Sequence, residues 1–390
     1  MPCWVTTTVE LDTGRKRGES GEKAGIKPVA VPSIQVKVAA RGVPGACKED
    51  MTMKFRSCAL AAAAALVVLP VSANAQTKLI IGSWAAPTHE VNTRLFPHWA
   101  QEVEKATGGR VKFEIKYNLA PPPGYFDAVR DGVADATWVF HGYNPGKFVA
   151  TQVMEMPGLG AGAAAGSAAY WRVHEKHLAK ANEHEGVKVM ALMTHGAGVI
   201  HSQKPIKSWA DLKGLKVRLP GGIASKVGEA FGAVAVTVPA PKVYETLSSR
   251  VAEAVFMPWE VQKSFRVAEV TKHILEVPGN LYDGSFAIVM NPAKFNALSP
   301  ADQKAVMSVS GEKLSHFAGG TWAQADVAGR EAAKAAGNSV STASPEMLAT
   351  LKKVSQDIES EWVKRASGKG YDPKAALEEL RSIARALDKK

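Results

Sequence analysis

From Gln76 onward the chain alternates between two hydrophobic periods. Lys78-Leu79-Ile80-Ile81-Gly82-Ser83-Trp84 is a nearly continuous apolar run and predicts a buried strand. Residues 91–107 place Leu95, Phe96, Trp99 and Val103 near helical spacing, with Gly108-Gly109 as a stop. Pro97 inside that pattern predicts a kink or a delayed start. Val111 to Tyr117 alternates cleanly, as a strand with one wet face does, and Pro121-Pro122-Pro123 breaks the chain before a short helix. Ala136 to Phe140 gives a third strand, and strand patterns recur at 187–193, 197–202, 215–218, 233–238, 252–257, 273–277 and 285–290. Helical patterns fall between many of them. This β-α-β-α order predicts α/β layers built on parallel sheets.

Past Asn291 the pattern becomes helical. Ser299-Pro300-Ala301-Asp302 combines an N-cap with proline at the first helical position. The pattern then runs to about Ala335, interrupted at Gly319-Gly320, and two more helices start near Ser344-Pro345 and Asp372-Pro373. A helical pattern of this length is long enough to brace two domains.

The first 75 residues are different. Residues 1–52 show no hydrophobic period and read as a non-native extension. Lys54 and Arg56 then precede an apolar run from Cys58 to Val71, followed by the small residues of Ser72-Ala73-Asn74-Ala75. That is the three-part layout of a secretory signal peptide over residues 53–75, cleaved after Ala75. The run is shorter than the roughly 20 residues that span a bilayer. Met51 or Met53 is the expected initiator, and residues 1–50 would then be an over-extended reading frame.

Composition sharpens this picture only once the leader is set aside. The 390 residues are 46% hydrophobic and 22% charged, as expected for two ordinary globular domains. The formal charge of +11 invites a nucleic-acid reading. Residues 1–75 carry ten Lys/Arg and six Asp/Glu, which leaves 38 against 31, or +7, with no basic-aromatic tract. Nucleic acid is therefore not an expected partner. All three cysteines (Cys3, Cys47 and Cys58) precede Ala75, so the mature chain has no disulfide, thiolate nucleophile or Cys-ligated zinc.

Several motifs resemble catalytic or cofactor signatures and fail on spacing. Gly158-Leu159-Gly160-Ala161-Gly162-Ala163 follows Pro157 instead of a strand, so it reads as a surface loop leading into a helix. Gly142 to Phe148 is one residue short of a phosphate loop and has Phe148 where a hydroxyl is needed. His174 and His177 are three apart and could share a face, but no third ligand stands at closed spacing, so they and His184 read as a solvated helix face. No nucleophile elbow or zinc-protease motif occurs. No cofactor, metal or enzymatic constellation is expected.

In open α/β sheets the ligand sits beyond the carboxyl ends of the strands. Those ends carry Trp84, Asn118, Phe140-His141-Gly142-Tyr143, Arg218 and Phe256-Met257-Pro258-Trp259-Glu260. An arginine there can clamp a carboxylate through two parallel hydrogen bonds, and aromatics can exclude water around it. Spacing alone leaves the opposite reading open, with Arg218 in a surface ion pair and the tryptophans in the core.

Lys204-Pro205-Ile206-Lys207-Ser208-Trp209-Ala210-Asp211-Leu212-Lys213-Gly214-Leu215-Lys216-Val217-Arg218-Leu219-Pro220 resembles the signature of the DctP-type solute-binding proteins of tripartite ATP-independent periplasmic (TRAP) transporters. Val238 to Leu247 is similar to the family's following segment, and Thr107 to Val111 and Val129 to Asp135 fit its N-terminal order. The resemblance covers most of residues 77–390. It implies a two-lobed periplasmic-binding-protein fold with hinge strands and a long bracing helix. Lobe I would comprise 76–200 with 288–328, and lobe II 201–287 with 329–390. It further implies an organic-acid ligand whose carboxylate binds Arg218, and delivery to a membrane permease. Trp84, His141, Tyr143, Phe256, Met257 and Trp259 are the pocket candidates.

Three departures from the family pattern bear on the ligand. Glu253-Ala254 stands for the usual acidic-Gly pair, Met257 for a common Asn, and Ala197 for a second Arg found in many members. One cation and one amide fewer favour a monocarboxylate or a larger, more apolar acid over a C4-dicarboxylate. The alternatives are a receptor for an ATP-driven importer and a periplasmic enzyme on the same scaffold.

Overall fold

The computed structural model describes residues 76–389, so the expected extension and leader lie outside the described residues. The strands are β1 (Thr77–Ser83), β2 (Val111–Tyr117), β3 (Ala136–Phe140), β4 (Lys188–Met193), β5 (Val199–Ser202), β6 (Lys216–Arg218), β7 (Val234–Val236), β8 (Ala254–Met257), β9 (His273–Glu276), β10 (Phe286–Met290) and β11 (Ser339–Thr342). They form two sheets, ordered β2-β1-β3-β10-β4 and β11-β9-β5-β8-β6-β7, and each is the centre of one lobe.

Both sheets are mixed, where the alternating pattern predicts parallel ones. β1 runs parallel to β2 and β3, but β10 is antiparallel to β3 and β4. Likewise β6 runs parallel to β7 and β8, while β5 is antiparallel to β8 and β9. A crossover helix preserves strand direction; a strand arriving from the other lobe enters its sheet from the opposite end. β5 and β10 are those arriving strands. β11, an exposed four-residue edge strand, has no apolar period and was not expected.

The helices follow their caps. A π-helical turn over Val91–Leu95 leads into Phe96–Ala106, so Pro97 sits in the first α-helical turn. The chain is already helical at Leu95 and Phe96, so the missing N–H falls where the wider turn gives way to the α-helix. The α-helix starts late, one of the two outcomes the proline predicts. Ser299, Ser344 and Asp372 each accept a backbone N–H from the first turn of their helices, as the sequence predicts.

Helix Glu312–Ala335 runs unbroken through Gly319-Gly320 and touches both lobes. It lies along helix Ala163–Lys176 of the first lobe, and further on Gly329 lies against the Trp259 backbone of the second. Gly319 is where two backbones meet: a Cβ there would stand 2.1 Å from the Ala163 carbonyl oxygen, whereas at Gly320 it would meet nothing within 4 Å. Gly319→Ala is therefore expected to destabilise the protein by about 1–3 kcal/mol in urea unfolding. Gly320→Ala should be neutral, or stabilising by up to about 1 kcal/mol.

The lobe boundaries differ from the expected ones at two places. β10, residues 286–290, lies wholly in the first sheet. Helix Pro373–Asp388 packs on Ala163–Lys176 of the first lobe instead of joining the second, and Asp388 accepts the Gly162 N–H at 2.9 Å. Helix Pro345–Ala366 spans the gap between them. Trp209 of the second lobe donates to the Met347 carbonyl near its start, and Trp362 near its end donates to Val149 of the first.

Candidate ligand-binding site

The Lys204–Pro220 segment is built to deliver one side chain. Ser208 and Asp211 form a reciprocal capping box, and Trp209 stacks on Phe231 with centroids 4.1 Å apart. The turn this fixes feeds β6, whose last residue is Arg218. Arg218 is 1% exposed. Its Nε donates to the Val238 carbonyl at 2.9 Å, which sets the plane of the guanidinium. Its Nη2 is buried without a partner, and no carboxylate pairs with Arg218 among the described residues.

Arg218 faces a narrow cavity between the lobes. The first lobe contributes Trp84 and His89 after β1, Phe140 and Tyr143 at the end of β3, and Phe286 at the start of β10. The second contributes Met257, Pro258 and Glu260 after β8, together with Phe265. Trp322 of the bracing helix closes one side, and Tyr282 and His195 come from the crossing segments. Trp84 is held flat against Trp138, with centroids 3.9 Å apart and Nε1–H donating to the Trp138 carbonyl. The wall is therefore aromatic and rigid, with one cation in it.

Of the expected pocket residues, the structure brings Arg218, Trp84, Tyr143 and Met257 to this cavity. His141, Phe256 and Trp259 lie elsewhere, and each has a physical reason. His141 turns away into a buried cluster, with Nδ1 2.7 Å from Ser285 Oγ and Nε2 2.9 Å from His184 Nε2. Phe256 precedes Met257 by one strand position, and alternation along a strand sends it to the other face. It is fully buried, 6.5 Å from the Tyr282 ring. Trp259 is fastened outward, donating to Glu276 at 3.1 Å and lying 4.2 Å from the Arg330 guanidinium. His174 and His184, expected on a solvated face, are buried beside His141, and His177 pairs with Glu379 at 2.8 Å.

The lobes meet tightly around the cavity. Tyr143 of the first lobe accepts the Ala240 N–H of the second at 2.7 Å. Glu155 accepts the Ile223 N–H at 2.8 Å. Gly221, at φ 101° and ψ −174°, lies so close to Gly142 that a Cβ would stand 2.2 Å from the Gly142 carbonyl oxygen. These contacts hold the two lobes together around the cavity.

Burial governs the titratable groups around the site. It pushes the carboxyls of Glu155, Glu260 and Asp283 up to about 8 and that of Asp326 to about 7. It lowers His89, His195 and His201 to about 4. Burial also raises the Tyr143 hydroxyl, opposed by the Arg218 charge. A carboxyl raised in the folded state stabilises fully below its unfolded pKa, and that stability is lost as pH rises through the folded one. The depressed histidines act oppositely, and their contribution is complete above about 6.5. Between pH 6.5 and 8.5 only the carboxyls are changing, so the melting temperature is expected to fall across that interval. Calorimetry at fixed ionic strength checks this; a flat or rising profile would contradict the burial of these groups.

Two α/β lobes that shut on a small cavity holding an unpaired cation are the architecture of a solute-binding receptor. Residues 81–365 match the family model for the bacterial extracellular solute-binding protein, family 7 (DctP), and the chain belongs to that family. It is 32% identical over 340 residues to the outer membrane transporter protein TsaT of Comamonas testosteroni, covering 86% of this chain and 99% of that one. Among solved structures it resembles a TRAP periplasmic solute-binding protein from Bordetella bronchiseptica with bound (R)- and (S)-mandelate. That match has TM-score 0.78 and 37% identity, over 80% of this chain and 100% of the other. A TRAP solute-binding protein from Rhodoferax ferrireducens T118 in complex with copurified benzoate is similar at TM-score 0.75 and 31% identity, over 80% and 99% of the two chains.

Proposed function

We propose that this protein is an extracytoplasmic receptor for an aromatic or comparably apolar monocarboxylate, which it hands to the membrane subunits of a TRAP transporter. The observation that carries this reading is Arg218, a buried guanidinium with an unpartnered Nη2 in an aromatic cavity. A buried charge without a partner is costly, and a ligand carboxylate removes that cost. Arg218 is the anchor, Trp84, Tyr143 and Met257 hold the ligand's body, and Trp322, Tyr282 and Phe286 join them. The related structures with mandelate and benzoate point to the same ligand class. The leader expected over residues 53–75 and the family's extracellular character support a periplasmic location.

Binding proceeds by closure of the lobes, without a covalent step. The ligand shifts the population toward the closed form by bridging Arg218 on the second lobe and the aromatics on the first. Closure excludes water, and the carboxylate–guanidinium attraction strengthens in the drier medium.

A thermal-shift comparison of benzoate and mandelate with succinate and malate tests the reading. Benzoate or mandelate at 100 times its dissociation constant should add about 2.7 kcal/mol of stability. Tight binding of the C4-dicarboxylates with no response to either aromatic acid would overturn it.

A further inference from the structure

Besides Arg218 Nη2, the cavity wall holds a pair of polar atoms that the protein leaves unmatched. His89 Nε2 comes from the first lobe and Glu260 Oε2 from the second; they lie 3.8 Å apart with side chains 1% and 2% exposed. That separation is beyond hydrogen-bond range, and neither atom has another partner. The His89 tautomer follows from its other nitrogen. Val91 N–H donates to Nδ1 at 3.2 Å, so the ring proton sits on Nε2 and that nitrogen is an unused donor. The ring is caged by Trp138, Phe265 and Trp322, with centroids 5.5 to 5.7 Å away, and the Glu260 backbone is pinned by Asp326, which accepts its N–H at 2.9 Å. Both groups are rigid, and both line the cavity.

We infer that His89 and Glu260 form a hydroxyl-binding subsite, so that the ligand class is a hydroxylated aromatic monocarboxylate held at two poles, its carboxylate on Arg218 and its hydroxyl between the lobes. The inference rests on the aromatic-acid reading above. A hydroxyl oxygen about 2.8 Å from both atoms accepts from His89 Nε2–H and donates its own proton to Glu260 Oε2. One group therefore satisfies both unmatched atoms, and it does so only when the lobes are shut. A ring hydrogen in its place leaves both buried and unpaired, the situation that lets a polar site reject an analogue lacking the hydroxyl. A second carboxylate is disfavoured at this pole, which offers no cation. Burial keeps both groups neutral at pH 7, with His89 lowered to about 4 and Glu260 raised to about 8.

The test is calorimetric titration of the full chain with benzoate and with its 2-, 3- and 4-hydroxy derivatives, in the wild type, Glu260→Met, Glu260→Gln and His89→Phe. The quantity read is the ratio of affinities between a hydroxybenzoate and benzoate, because a merely structural role would lower both together. At least one isomer should bind the wild type about tenfold or more tightly than benzoate. Glu260→Met and His89→Phe should each collapse that ratio toward one, and Glu260→Gln, which retains an acceptor oxygen, should keep part of it. If benzoate binds as tightly as every isomer, as when a trapped water already satisfies the pair, the inference is overturned while the aromatic-acid reading stands. A ratio that survives both Glu260→Met and His89→Phe overturns it equally. Failure of all four acids to bind the wild type overturns the aromatic-acid reading, and the subsite with it.

Discussion

Arg218→Ala should weaken benzoate binding by roughly thirty- to several-thousand-fold, without unfolding the protein. Truncating one partner of a buried charge pair costs about 2–5 kcal/mol, because the remaining charge stays buried and unpaired. Here that remaining charge is the ligand's carboxylate. The ligand-free protein should respond in the opposite sense. Arg218 Nη2 has no partner in the folded chain, so its removal relieves an uncompensated buried cation and should leave the melting temperature unchanged or raised. Arg218→Lys separates charge from shape. A lysine keeps the cation but cannot donate a parallel pair of hydrogen bonds while also holding Val238, so its affinity should fall between those of wild type and alanine. Titration calorimetry with parallel melting curves reads both effects. Retained benzoate affinity in Arg218→Ala would remove the anchor from its assigned place.

Gly221→Ala is expected to impair closure. Gly221 adopts φ 101° and ψ −174°, a region essentially reserved for glycine, and its missing Cβ is what lets Gly142 of the other lobe approach. The added methyl carries a backbone penalty in every state, but it meets Gly142 only in the closed state. Affinity for benzoate should fall by about tenfold to a hundredfold, corresponding to about 1–3 kcal/mol of overpacking confined to the closed form. Gly214→Ala is the control. Its φ is +74°, but a Cβ there would meet nothing within 4 Å. It should lose about 1–2 kcal/mol of stability with no change in affinity. Small-angle scattering should show wild type contracting on saturation with benzoate and Gly221→Ala contracting less. Equal contraction in both would show that this contact does not limit closure.

Much of this architecture is legible in the sequence because it depends on local signals. The strands announce themselves by apolar runs, the C-terminal helices by Ser299, Ser344 and Asp372, and Arg218 by its place at a strand terminus. Trp84, Tyr143 and Met257 were accessible for the same reason, since each follows or ends a strand. His89, Tyr282, Phe286 and Trp322 were not. Tyr282, Phe286 and Trp322 reach the cavity because β10 inserts between β3 and β4 and because one helix crosses both lobes, and His89 does so from the loop after β1; none of these placements has a period. Phe256 and Met257 show the limit at its finest. Both are apolar and adjacent, and only the pleat of β8 decides which one faces the cavity. Glu260 was in view among the strand-end residues, but without His89 opposite it nothing marked it as a binding group.

The placement of β10 also governs timing. It lies between β3 and β4 in the first sheet, yet it is made almost 100 residues after β4, once nearly all of the second lobe has been passed. A chain emerging from its N-terminus therefore cannot complete either sheet early, because the first waits for residues 286–290 and the second for 339–342. Such long-range pairing slows folding. For a member of an extracellular family that delay is useful, since a chain that stays loose until its last third appears can still be threaded through a membrane channel before it locks.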